Sequence, residues 1–226
     1  MSEAEARAEG RREAAPATFV ALLVLAVLAL VSWGRGWELI GLQWWIWLVL
    51  GVPALLLTID VSLTFGGSGL VRSRRAALFL LGLLVLGNFT ALAILVAGLV
   101  TMSTEDLGGG ELLLTGFAIW STGVIVFALL FWELDAGGPV ARIRGPARAT
   151  PDFQFPQDEN PELASTDWSP QVWDYAYLSL TNAIAFSPTD VMPLSLRAKA
   201  TMGLESAISA VTVLLVAARA VNVLGS

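Results

Sequence analysis

The chain has 226 residues, 56% of them hydrophobic and only 14% charged, against about 45–50% and about 25% in a soluble domain. It contains no Cys and no His, which excludes disulfides, thiol nucleophiles, imidazole bases and Cys/His metal sites. A net charge of −6 argues against a dedicated nucleic-acid binder, so the composition points to a membrane protein whose first partner is the lipid bilayer.

A helix needs about 20 mostly apolar residues to cross the hydrocarbon core. Residues 1–13 mix Glu with Arg7, Arg11 and Arg12 and read as a disordered cytoplasmic tail. The first span is expected over about 14–33. The Ser-Trp-Gly-Arg-Gly-Trp that follows lacks a small-residue cleavage site, so the span reads as uncleaved. Further spans are expected over about 41–59, with Pro53 inside, 76–100 and 112–132, which gives a four-helix region over 14–134.

Residues 135–169 change character. Gly137-Gly138-Pro139, further prolines and the acids Asp152, Asp158, Glu159, Glu162 and Asp167 make a linker too polar to pack a core of its own. Phe153, Phe155 and Pro156 are expected to dock it on the membrane-side surface.

The stretch 170–226 holds a short helix, a loop and a last span over 196–224. Ser169-Pro170 reads as an N-cap with proline at the first helical position. The apolar part, 175–186, is about 18 Å of helix and too short to cross about 30 Å of hydrocarbon. Basic residues agree with a segment that dips in and returns. With the N-terminus inside, eleven of the thirteen bases fall on the cytoplasmic side, Arg197 and Lys199 included, and Arg35 and Arg219 fall outside. The tip of the loop is Ser187-Pro188-Thr189-Asp190. Polar backbone at membrane depth is tolerated where protein buries it or it lines water. The C-terminal end of the short helix aims partial negative charge at it. A cation or a water column suits such a tip.

The run from Trp168 to Lys199 resembles the pore loop of potassium channels. Asp190-Val191-Met192-Pro193-Leu194-Ser195-Leu196 is similar to the segment after the filter in that family, and Tyr177 and Ser179 stand where pore-helix aromatic and small polar residues occur. The filter itself differs: Ala185-Phe186-Ser187-Pro188-Thr189 has neither of the glycines that line up carbonyls, so a potassium-type carbonyl filter is not expected. Entry from the cytoplasm resembles the inverted pore of ionotropic glutamate receptors. A closer resemblance is to an uncharacterised bacterial, mainly actinobacterial, family of multi-pass membrane proteins. It is carried by Phe131-Trp132-Glu133-Leu134-Asp135, Phe155-Pro156-Gln157, Asp174-Tyr175-Ala176-Tyr177 and Ala185-Phe186-Ser187-Pro188-Thr189-Asp190. This resemblance implies the bacterial cytoplasmic membrane and no established activity.

Among other polar residues, Glu205 lies about nine residues into the last span and is a functional candidate or a packed residue. Gly203, Ser206, Ala207 and Ala210 allow close helix approach beside it. Asn88 and Thr90 read as interhelical hydrogen-bond partners, and Asp60 and Glu133 as interface charges. No nucleophile elbow, phosphate loop or acidic metal cluster appears, so neither enzyme activity nor a cofactor is expected.

The expected fold is all-α and polytopic: five spanning helices and a re-entrant pore-like helix and loop before the last one. The expected function is a channel-like protein passing a monovalent cation or small solute, with Ser187, Thr189, Asp190 and Glu205 as its polar constriction. The pore-loop resemblance implies a homo-oligomer, with a tetramer the first candidate. A non-conducting scaffold that binds a partner and a small-solute transporter are the alternatives.

Overall fold

A computed structural model describes residues 3–36, 44–65, 74–101, 109–144, 150–165, 168–187 and 190–224. The described chain is helical apart from one two-stranded pairing. Four stretches are long and apolar enough to cross a membrane: Arg12–Arg35, Arg74–Leu99, Leu112–Gly137 and Leu196–Ala218. They belong to α1 (Glu3–Arg35), α3 (Arg74–Thr101), α4 (Gly109–Leu134) and α8 (Leu196–Leu224). Between α1 and α3 lies α2 (Trp45–Phe65), whose apolar part, Trp45–Ile59, is shorter. Phe19, Leu30, Phe79, Leu86 and Phe117 point outward and are more than half exposed. Such a surface belongs to a membrane-embedded protein, because lipid rather than water then covers it.

The centre of the bundle is α4, which packs against α1, α3, α8 and the short helix α7 (Val172–Ala185), while α2 lies outside against α1 and α3. Asn88 on α3 donates to the Ile119 carbonyl (2.8 Å) and to Thr122 Oγ1 (3.0 Å), which ties α3 to α4. Thr90 instead bonds back to its own helix at Leu86. An apolar cavity of about 30 Å³ lies between α1, α2, α3 and α4 beside Asn88 and is remote from the C-terminal hairpin.

Two local expectations change. Residues 3–13, with the composition of a disordered tail, form the first turns of α1. Glu13 accepts a hydrogen bond from the Val172 backbone N–H, so this part of α1 has a partner at the start of another helix. That other helix, α7 (Val172–Ala185), begins two residues after Pro170. Its cap is Gln171, whose N–H donates to the Asp174 carboxylate at 2.7 Å. A carboxylate in the first turn suits the positive end of the helix dipole and takes over from Ser169.

The stretch after α4 is ordered by what it packs on. Ala136, Gly137 and Gly138 all have positive φ (48°, 84° and 94°) and reverse the chain. Gly138 has no alternative: a Cβ there would lie 2.9 Å from Arg74 Nε and 3.2 Å from the Glu133 carbonyl. Then come α5 (Pro139–Arg144), β1 (Phe153–Gln154) and the single turn α6 (Pro156–Glu159). β1 pairs antiparallel with β2 (Met192–Pro193), Phe153 opposite Pro193 and Gln154 opposite Met192. Phe153 and Phe155 are buried, as the aromatic residues of this stretch suggest. Phe153 packs at a tilt against Phe131 of α4 with ring centres 5.3 Å apart, and Phe155 meets Tyr175 of α7 edge-on at 5.3 Å. Such pairs contribute about 0.5–1.5 kcal/mol each beyond area burial.

Candidate functional site: two polar clusters around the short helix

The helix α7 is polar at two levels, and each level is buried. The lower cluster forms at the end of α4. A helix leaves its last four carbonyls without intrahelical partners. Here arginines supply the donors. Arg74 donates to the Glu133 and Leu134 carbonyls through Nη2 (2.8 and 3.2 Å), with its Nε 3.7 Å from the Glu133 carboxylate. Arg142 Nη1 donates to the Trp132 and Asp135 carbonyls, both at 2.8 Å. Cations at this end also suit the helix dipole. Arg142 further lies over the Tyr175 ring, 5.3 Å from its centre.

The centre of this cluster is Asp135, only 2% exposed. Its Oδ1 accepts from the Asp152 and Phe153 amides (2.7 and 3.2 Å), and its Oδ2 accepts from the Tyr175 hydroxyl (2.6 Å). Asp152 carries the connection onward. Its carboxylate accepts from Ser195 Oγ (2.5 Å) and from Arg197 Nε and Nη2 (2.6 and 2.5 Å). The Asp152 carbonyl accepts from the Leu194 amide at 2.8 Å. Burial works against the Asp152 charge, but the bonds from Arg197 and Ser195 outweigh it and hold the carboxyl below the usual carboxylate range. Ser195 also caps α8, its Oγ accepting from the Ala198 amide at 3.2 Å.

These bonds have a topological consequence. Tyr175 is in the first turns of α7, and Ser195 and Arg197 are at the start of α8. Both ends of the stretch between them are held by the pair Asp135 and Asp152. The chain therefore rises through α7, turns, and comes back to its starting level before α8 begins.

The upper cluster joins α4, α7 and α8. Ser179 Oγ contacts the Val124 carbonyl at 2.7 Å and is hydrogen-bonded to Glu205 Oε1. Asn182 donates to Glu205 Oε2 (2.6 Å) and to the Met202 carbonyl (3.1 Å), and its Oδ1 accepts from Ser206 Oγ (3.1 Å). Ser179, Asn182 and Glu205 are each at most 1% exposed.

The tip is separate from both. Phe186 ends α7 in the left-handed conformation (φ 55°, ψ 24°). Ser187 and Asp190 are exposed. Thr189, with Pro188, lies outside the described residues, as does the side chain of Asp60. Of the four residues expected to form one polar constriction, the structure therefore leaves Ser187 and Asp190 outward and brings Glu205 to Ser179 and Asn182 instead. Ser206 faces Asn182 within the chain, whereas Gly203 and Ala207 are exposed.

Sequence reasoning assigns no site role to Asp135, Asp152, Arg142 or Tyr175. The signal for them was the aromatic and acidic character of 131–135, 153–155 and 174–177, three segments that meet here. Among the described residues no group of three or more acidic side chains is placed to hold a metal. Compared with known protein families, curated proteins and solved structures, the chain matches none.

Proposed function

We propose that α7 and the segment returning from it are a re-entrant hairpin of pore-loop type, in a bacterial inner-membrane protein of five spanning helices with its N-terminus inside. Copies assemble around this hairpin to pass a monovalent cation or another small solute. The observation that carries the reading is the shared anchoring of the two hairpin ends at Asp135 and Asp152. A hairpin that rises through a helix of 14 residues, about 21 Å long, and finishes at the level where it started enters and leaves a bilayer from one side. The exposed tip residues Ser187 and Asp190 then lie at depth, where polar groups are tolerated if they meet protein, water or an ion.

Further support comes from the face the hairpin shows outward. Trp173, Tyr177, Leu180 and Ile184 form one exposed stripe along α7, and Gly203 and Ala207 are exposed small residues on α8. Small residues allow close approach of helices in lipid, which suits a second copy on this side. Glu205 in this reading holds α7 against α8 and does not line the path. The alternative of a non-conducting partner-binding protein rests on the exposed acids Asp158, Glu159 and Glu162.

Ion flux into liposomes tests the proposal. Flux is expected with the intact chain and is expected to change in Asp190→Ala and Thr189→Val. A chain that conducts nothing across voltages, pH values and ions refutes conduction. Ser187→Cys in this Cys-free chain tests the hairpin itself: labelling by a membrane-impermeant thiol reagent only from the side opposite the N-terminus contradicts re-entry.

A further inference from the structure

We propose that Glu205 is a buried proton-binding site, a carboxylic acid that carries its proton in the folded molecule and locks α7 to α8 through it. The inference comes from counting hydrogens in the upper cluster. A serine hydroxyl has one hydrogen to give and a backbone carbonyl has none. Ser179 Oγ lies 2.7 Å from the Val124 carbonyl, so its hydrogen belongs to that contact. The same Oγ is bonded to Glu205 Oε1. The hydrogen in that second bond must then come from Glu205. Asn182 uses both amide hydrogens, one on Glu205 Oε2 and one on the Met202 carbonyl, and its oxygen takes the Ser206 hydroxyl. With one proton on Glu205 every polar atom of the cluster is paired. Without it, one oxygen pair faces another with no hydrogen between them.

Asp135 shows the contrasting case, with three donors and no acceptor facing its carboxylate. Around Glu205, α4 presents Val124, α7 presents Ser179 and Asn182, and α8 presents Met202 and Ser206. None of these titrates. Among the described residues no arginine or lysine is bonded to Glu205, and an unpaired charge at this depth is costly. The third helix touching α8, α3, does so beyond it, near Leu215 and Val216. When base removes the Glu205 proton to water, the Ser179 hydrogen must choose between the new carboxylate and the Val124 carbonyl. Either choice breaks one bond of the seam, and α7 loosens from α4 or α8. The ligand of this site is the proton, and its loss is the signal.

The inference rests on the α7–α8 contact and not on conduction, so a protein that passes no ion would still show it. The test is infrared difference spectroscopy of the full chain in lipid vesicles at neutral pH, with Glu205→Gln as reference. The carbonyl band of a protonated acid is expected in the native chain and is lost in the variant. A carboxylate signal in its place overturns the proposal. Amide exchange of α7 supplies the second readout. Glutamine keeps a donor toward Ser179 and an acceptor toward Asn182, so Glu205→Gln is expected to show the native protection, relative to the free-amide rate at the same pH, in neutral and in alkaline buffer alike. The protection of α7 in the native chain is expected to fall about tenfold in alkaline buffer, the effect of losing one hydrogen bond. Native protection that is unchanged by alkali, or a Gln variant as poorly protected as Glu205→Ala, also overturns it.

Discussion

Replacing Asp135 by Ala tests whether the lower cluster holds the hairpin. The side chain accepts from two backbone amides and one phenol, and it is 2% exposed. Its removal leaves three donors buried without acceptors. A buried unsatisfied group costs about 1–3 kcal/mol, so even the low end for all three gives about 3 kcal/mol. For a chain of this size that is a fall of about 6–12 °C in melting temperature. Asp135→Asn keeps the shape and one acceptor oxygen, and the tyrosine hydroxyl can turn to accept from the new amide, so its cost is expected near 1 kcal/mol. Tryptophan-monitored unfolding of the detergent-purified chain measures both. The decisive comparison is a cycle with Tyr175→Phe. That change is expected to cost about 1 kcal/mol alone and close to nothing beside Asp135→Ala, because the phenol has then already lost its partner. Equal costs in both backgrounds, or an Asp135→Ala chain as stable as the original, would refute the anchoring role.

Three other expectations follow from the same geometry. The Asp152 carboxyl has a lower pKa folded than unfolded, so its stabilisation is present above the unfolded value of about 3.9 and is lost as pH falls through the folded value; unfolding measured between pH 2 and 6 should show this, and Arg197→Ala should flatten the profile. Gly138→Ala forces a side chain into a positive-φ position against Arg74 and the Glu133 carbonyl, and a loss of about 1–3 kcal/mol is expected in the same unfolding assay. Gly116→Ala puts a Cβ 2.3 Å from Val216 Cγ2, so the Val216 side chain must turn or α4 and α8 must separate locally; a loss of about 1–3 kcal/mol is expected, and an unchanged melting temperature would show that the two helices do not meet closely there.

The long apolar runs were legible because bilayer thickness imposes a length on them, and 14–33, 76–100, 112–132 and 196–224 each lie within or nearly coincide with a long helix. The shortness of α7 was legible for the same reason. The lower cluster was not. Asp135 opens the stretch that reads as a linker and Asp152 sits among its acids, so composition files both as linker residues. They stand 17 residues apart, and Tyr175 stands 40 from Asp135. No helical or strand period relates such separations. Only the left-handed reversal at 136–138, which turns the chain back beneath the bundle, makes them neighbours. Glu205 was visible as an acid inside a span, but its partners Ser179 and Asn182 come from another helix. One-dimensional spacing therefore could not decide between a pore-lining residue and a seam.

The two clusters also set an order of stability along α7. At its base the helix is held by Glu13, by Asp135 through Tyr175, and by a buried aromatic group. One turn further Ser179 and then Asn182 bind Glu205. Beyond Ala183, Ile184, Ala185, Phe186 and Ser187 are exposed, and among the described residues Ser187 Oγ bonds only to the carbonyl of nearby Ala185, at 3.4 Å. Local opening draws on the segments with fewest buried contacts, so it should start at the tip and move toward the base. Amide exchange in detergent is then expected to be fastest at 185–187, slower at 180–183 and slowest at 175–179. Asp135→Ala should accelerate the base while leaving the tip unchanged. Uniform exchange along α7 would mean that the hairpin opens as one unit, and that its anchors do not act at separate levels.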